Sequence, residues 1–144
     1  MTTAAPATGA LSPEDVEHLR LLSIFHYVVA GMQALFASFP IFHLVMGLTM
    51  VLTPEKMGMK SGQDSWVGWI LVAFAATFMA IGWTLAVCLA IAGRSLAARD
   101  RYLFCLVVAG VTAALCMPFG TILGVFTIVV LLRPTVKAAF GRPA

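Results

Sequence analysis

YLFCLVVAGVTAALCMPFGTILGVFTIVVLL, residues 102–132, contains no charged side chain, and its reading decides how the chain is folded. About 20 apolar residues cross a bilayer as a helix, so this run is too long for one upright helix and short for two. Pro118-Phe119-Gly120 cuts it into arms at residues 102–117 and 121–132, and proline with glycine inside three residues is a turn signal. The flanking charges arbitrate. Arg94, Arg99 and Arg101 stand before the run against Asp100, while Arg133, Lys137 and Arg142 follow it with no acid. Basic flanks belong on the cytoplasmic side. One crossing would separate the two clusters and a hairpin reunites them, so the spacing predicts a hairpin.

Working outward, residues 21–54 and 65–93 are equally free of charge. Helices of soluble proteins average roughly 10 to 14 residues; three such runs in 144 residues, 61% of them hydrophobic, point to a bilayer. The runs do not alternate as barrel strands do, so each backbone must satisfy itself as a helix. Residues 66–92 read as one span, with Trp66 and Trp69 at the level of an aromatic belt and Arg94 closing the far end. Ser61-Gly62-Gln63 reads as loop, with Asp64 or Ser65 as helix cap.

The first run holds Pro40 in Phe39-Pro40-Ile41-Phe42, with no glycine or small polar residue to make a turn. A proline there removes one hydrogen bond and bends the helix, so a single kinked crossing is expected. The expected architecture is an all-α transmembrane bundle of four spans, with residues 54–65 outside and both termini cytoplasmic. A weak repeat opposes it: Val28-Val29-Ala30-Gly31 and Pro40 resemble Val107-Val108-Ala109-Gly110 and Pro118. Were residues 21–53 also a hairpin, there would be five segments.

Residues 1–12 read as a disordered tail without the basic n-region of a secretory signal. Ser12-Pro13-Glu14-Asp15 then reads as a helix start, with a serine cap, proline in the first turn and acids at the positive dipole end. Residues 13–133 form the single helical domain. Residues 134–144 form a short interfacial helix and tail, with Val136 and Phe140 on one side beside Lys137.

Small residues spaced by four let helix backbones approach closely. Gly120/Gly124, Ala76/Ala80, Gly82/Ala86, Ala86/Ala90, Ala30/Ala34 and Ala34/Ser38 have that spacing. They predict close packing within the chain, in a homo-oligomer or against a partner membrane protein. A net charge of +3 is too dispersed for nucleic acid, and lipid is the expected partner of the basic residues. Cys88, Cys105 and Cys116 lie in apolar runs with no CxxC pair and read as small hydrophobes.

Polar residues inside spans are costly and mark function or packing. His26, Gln33 and Pro40 recur every seven residues and share one helix face, with His43 further along. His26 and His43 are 17 positions apart, about 25 Å along one helix, too far to share a metal or haem. No cofactor is expected. The carboxylates (Glu14, Asp15, Glu17, Glu55, Asp64 and Asp100) all lie outside the runs, and Glu14 with His18 makes an ordinary surface pair at helical spacing. No phosphate loop, dinucleotide fingerprint or nucleophile elbow occurs, so no catalytic residue is assigned.

Phe25-His26-Tyr27-Val28-Val29-Ala30-Gly31, Phe39-Pro40-Ile41-Phe42-His43, and Pro118-Phe119-Gly120-Thr121-Ile122-Leu123-Gly124-Val125 through Leu132-Arg133-Pro134 resemble segments of small bacterial inner-membrane proteins with a domain of unknown function. The resemblance covers most of residues 18–140 and implies topology and a bacterial inner membrane, but no activity. Two roles follow. One is a structural or accessory subunit that packs against itself or a larger complex. The other is an oligomeric channel or small-solute conduit lined by polar residues of the first helix, His26 and Gln33, with helix breaks at Pro40 and at Pro118 and Gly120; Gln33, Thr49, Thr121 and Thr127 line only a weakly polar path.

Overall fold

The computed structural model describes residues 11–58 and 65–141, and every described element is helical. They are α1 (Pro13–Ser38), α2 (Ile41–Leu52), a 3-10 turn (Pro54–Met57), α3 (Ser65–Ala98), α4 (Tyr102–Leu115), α5 (Phe119–Leu131) and α6 (Pro134–Ala139). Residues 1–10, the loop at 61–64 with its proposed Asp64 cap, and Arg142 lie outside the described residues. Two helical runs, Pro13–Leu52 and Trp66–Ala98, are long and apolar enough to cross a membrane. The chain divides into two compact units, Met1–Ala30 with Cys88–Ala144, and Gly31–Val87, so α1 and α3 each contribute to both.

In the second unit, α1 ends at Ser38 because Pro40 has no N–H to continue the ladder. The Phe39 N–H turns back to the Phe36 carbonyl (3.1 Å), and the Leu44 N–H bonds to the Pro40 carbonyl (2.9 Å) to start α2. The break bends the run without reversing it. Ala37 of α1 packs on Gly82 of α3, while beyond the break Gly47 and Val51 of α2 pack on Gly68. Residue numbers fall along α3 as they rise through Pro40, which is the antiparallel pairing of one bent run.

Along α3 the buried positions include Gly68, Ala75, Gly82, Leu89 and Leu96, each seven residues after the last. A repeat of seven keeps one seam against a neighbouring helix. Glycine and alanine occupy that seam where backbones come closest. A Cβ on Gly47 would lie 2.9 Å from the Gly68 carbonyl oxygen, and one on Gly68 would lie 3.0 Å from that of Gly47.

In the first unit, α1 again runs antiparallel to α3: Leu19 and Leu22 share a core with Leu96, whereas Ala30 packs with Leu89 and Ala92. The expected hairpin is α4 and α5. Gly124 sits against Ala109 and Ala113, Gly120 against Thr112 and Cys116, and the Tyr102 hydroxyl donates to the Leu131 carbonyl (3.1 Å) at the open end. The Thr121 hydroxyl crosses to the Ala113 carbonyl (2.8 Å).

The reversal falls earlier than the sequence suggested. It occupies Cys116-Met117-Pro118, with a cis Met117–Pro118 peptide, and Gly120 already belongs to α5. That glycine supplies room for the facing helix rather than a turn conformation. The arms are also short: α4 has 14 residues and α5 has 13, about 20 Å each. The sequence reading made them full spans; as described helices they fall short of the membrane-crossing length that the two longer runs meet.

α6 begins with Pro134 at its first turn. Its Val136 is fully buried among Leu19, Leu96, Tyr102 and Leu131, and Phe140 meets Tyr102 edge-on at 5.7 Å. Its apolar side therefore packs on protein. Cys88 and Cys105 are free thiols.

The glycine contacts predict opposite outcomes at two positions. A Cβ at Gly124 would overlap the Ala109 backbone, whereas one at Gly110 meets nothing within 4 Å. Gly124→Ala is expected to cost about 1–3 kcal/mol. Gly110→Ala is expected to be neutral or to stabilise by up to about 1 kcal/mol. Reversible unfolding in mixed detergent micelles measures both.

Candidate functional site

The residues singled out along the first charge-free run divide between the two units. His26 belongs to the first, and Gln33, Pro40 and His43 to the second. Of the three at seven-residue spacing, His26 and Pro40 are buried and Gln33 is half-buried.

His26 is fully enclosed and has one hydrogen bond, between Nδ1 and the Leu22 carbonyl of its own helix (2.8 Å). Nε2 has no partner. The wall opposite is Gly93, where a Cβ would come within 3.1 Å of both the His26 Cβ and the Ser23 carbonyl. Ser23 fastens the same contact by donating from Oγ to the Gly93 carbonyl at 2.7 Å. Gly93 thus makes space for the imidazole, and Ser23 fixes the register of α1 on α3.

His43 is half-buried, with Nδ1 unpartnered and its ring 6.3 Å from that of Phe39 one turn earlier. Among the described residues, no group of three or more His, Cys, Asp or Glu side chains is placed to hold a metal ion.

The hydroxyls named as a polar path are engaged with backbone. Thr49 donates to the Met46 carbonyl (2.8 Å), Thr127 to Leu123 (2.7 Å) and Thr121 to Ala113 (2.8 Å). Thr127 is fully buried. Threonines bonded this way satisfy themselves inside an apolar medium.

The most developed polar cluster was not recognised in the sequence. Asp15, read as an acid at the positive end of the first helix, is 4% exposed. Its carboxylate accepts from Arg133 Nη1 at 3.0 Å and from the Thr135 hydroxyl at 2.7 Å. Its own N–H donates to Ser12 Oγ at 3.1 Å, so the serine cap forms as read. Asp15 therefore ties the first turn of α1 to the junction of α5 and α6. The expected Glu14–His18 ion pair is not formed; among the described residues the ion pairs are Asp15–Arg133 and Asp100–Arg101. Asp15 was legible only as the third residue after a serine cap, because its partners lie 118 and 120 positions away.

At the same end of this unit, Arg99-Asp100-Arg101 is the whole connection between α3 and α4. The Asp100 N–H donates to the Ser95 carbonyl (2.9 Å) and the Arg99 N–H to Leu96 (3.4 Å). This is the helix-ending pattern that ordinarily uses glycine in the left-handed conformation. Here Arg99 adopts it, at φ 55°, and Arg101 does so again at φ 53°, each at a cost of order 1 kcal/mol. The Asp100 carboxylate accepts the Arg101 N–H at 2.7 Å and holds the turn.

No family model matches the chain, and comparison with curated proteins and with solved structures finds no match either. The likeness to small bacterial membrane proteins therefore stands on its quoted residues alone.

Removing the Asp15 carboxylate leaves Arg133 and Thr135 without their shared acceptor. Asp15→Ala is expected to destabilise by about 1–3 kcal/mol. Arg133→Ala should cost less, because that side chain is 43% exposed and exposed ion pairs contribute about 1 kcal/mol or less. In a double-mutant cycle read by thermal unfolding in detergent, the two changes should be less than additive; full additivity would mean that the pair does not couple the helices.

Proposed function

We propose that the chain is an integral protein of the bacterial inner membrane with a non-catalytic packing role, serving as an accessory subunit that associates with itself or with a larger membrane complex. One observation carries this reading: in each candidate span, only 17% of the most apolar stretch is buried inside the protein. The core helix of a soluble protein would be mostly buried. Instead Leu35, Phe36, Phe42, Phe74 and Ile122 stand exposed, far more apolar surface than a soluble monomer leaves to water.

The packing role is supported by what the polar groups do. Ser23, Thr121 and Thr127 spend their hydroxyls on backbone carbonyls, and His26 is enclosed. That arrangement favours helix association over a hydrated path and weakens the conduit alternative. Ala76 and Ala80 remain exposed on α3 and offer a small-residue face for another helix.

The four-span expectation takes a modified form. The bent run α1–α2 and helix α3 cross the bilayer. The α4–α5 hairpin enters from the cytoplasmic side and ends inside the hydrocarbon, because arms of about 20 Å do not reach across about 30 Å. Its tip is apolar and uncovered, with Leu115, Met117 and Phe119 exposed. Both termini face the cytoplasm. The Asp15–Arg133 bond and the cations Arg94, Arg99, Arg101 and Lys137 around that end support this orientation.

Two readouts test the proposal. The chain should stay in the membrane pellet after alkaline carbonate extraction; release into the supernatant would remove the membrane reading. A cysteine introduced by Met117→Cys, with the three native cysteines replaced by alanine, should be protected from an impermeant maleimide on both sides. Labelling from the periplasmic side would restore the full four-span arrangement.

A further inference from the structure

Within the first unit, a groove of about 230 Å³ opens between the first turns of α1 and the last turn of α3. Leu19 and Leu96, both buried, and Ile24 contribute to its apolar lining; Ser23, Arg20 and Arg99 line it too. Neither arginine has an ion-pair partner among the described residues: Asp15 is taken by Arg133 and Asp100 by Arg101. Two unneutralised guanidiniums beside an apolar hollow call for an anion joined to hydrocarbon.

The volume narrows the choice. It equals roughly seven or eight water volumes and lies below the about 300–1,000 Å³ of ordinary small-molecule pockets. A phosphate with the first methylenes of a chain fits, and the remainder must lie outside. The exposed Ile24 and Val28, one helical turn apart, continue the apolar surface away from the arginines.

We propose that this groove binds one anionic phospholipid, its phosphate held by Arg20 and Arg99 and its acyl chain laid along Ile24 and Val28. Guanidinium groups match phosphate oxygens in paired hydrogen bonds, and basic pockets between helices at a membrane surface select acidic headgroups. Arg99 occupies a left-handed position that glycine would fill without strain, so an arginine there is retained against its backbone preference.

The site rests on the membrane reading above, and the test separates the two. Native mass spectrometry of the full chain in neutral detergent would compare phosphatidylglycerol with phosphatidylcholine of the same acyl chains. Tighter binding of phosphatidylglycerol is expected, falling about fivefold per arginine removed in R20Q, in R99G and further in the double variant. R99G relieves the left-handed backbone, so its stability should be equal or higher. R94Q removes an exposed arginine that does not line the groove and should keep the preference.

Equal affinity for the two lipids, or an unchanged preference in R20Q/R99G, would overturn the site while leaving the chain in the carbonate-resistant membrane. Release by carbonate would defeat the membrane reading itself. Competition by inorganic phosphate as effective as by lipid would show a free-anion site and also overturn the proposal.

Discussion

Close approach of helix backbones is the constraint on which the rest depends. In hydrocarbon, apolar side chains gain nothing by leaving their solvent, so helices associate through van der Waals contact and hydrogen bonds between surfaces that fit. Helix backbones come close at glycines where an added Cβ would crowd the facing helix: Gly47 on Gly68, Gly82 on Ala37, Gly93 on Ser23 and His26, Gly124 on Ala109. The larger apolar side chains Phe36, Phe42, Phe74 and Phe126 point outward. This inverts the soluble pattern, in which bulk is buried and small residues are incidental.

Polar chemistry is then confined to two uses. Inside the helices, hydroxyls bond to carbonyls of their own or the facing helix, which costs no unsatisfied group and fixes register, as Ser23 does on Gly93. At the charged end of the first unit, Asp15 joins α1 to Arg133 and Thr135. Two hydrogen bonds depend on the buried Asp15 carboxylate, whereas Arg133 is 43% exposed and can turn to solvent, so this latch is most sensitive to change on the aspartate side. Arg20 and Arg99 are left over from this pairing, and they are the cations beside the groove.

Much of the architecture was readable because it depends on composition and local spacing. The charge-free runs marked the helices. Pro118 marked the hairpin, and the absence of a turn residue around Pro40 distinguished a bend from a reversal. The seven-residue recurrence of His26, Gln33 and Pro40 marked a shared face. Other features escaped because they are set by distant partners. Gly120 looked like a turn residue and is a packing residue. On α3, small residues spaced by four mark Gly82 and Ala86, which are buried, and Ala76 and Ala80, which are exposed; that spacing passes over Gly68, on the seam that repeats by seven, and Gly93 beside it. Asp15 read only as an acid of the first helical turn because its arginine follows the last apolar run. Helix lengths escaped as well: residues 102–132 carry no charge throughout, but capping and the turn leave arms of only 14 and 13 residues.

The central claim is that the exposed apolar faces are covered by lipid. Spin labels placed singly at Phe74, Phe78 and Leu35 in phospholipid vesicles test it most directly, through relaxation by dissolved oxygen and by a water-soluble nickel chelate. The account predicts strong relaxation by oxygen and almost none by nickel at all three positions. Strong relaxation by nickel would put these faces in water and contradict it.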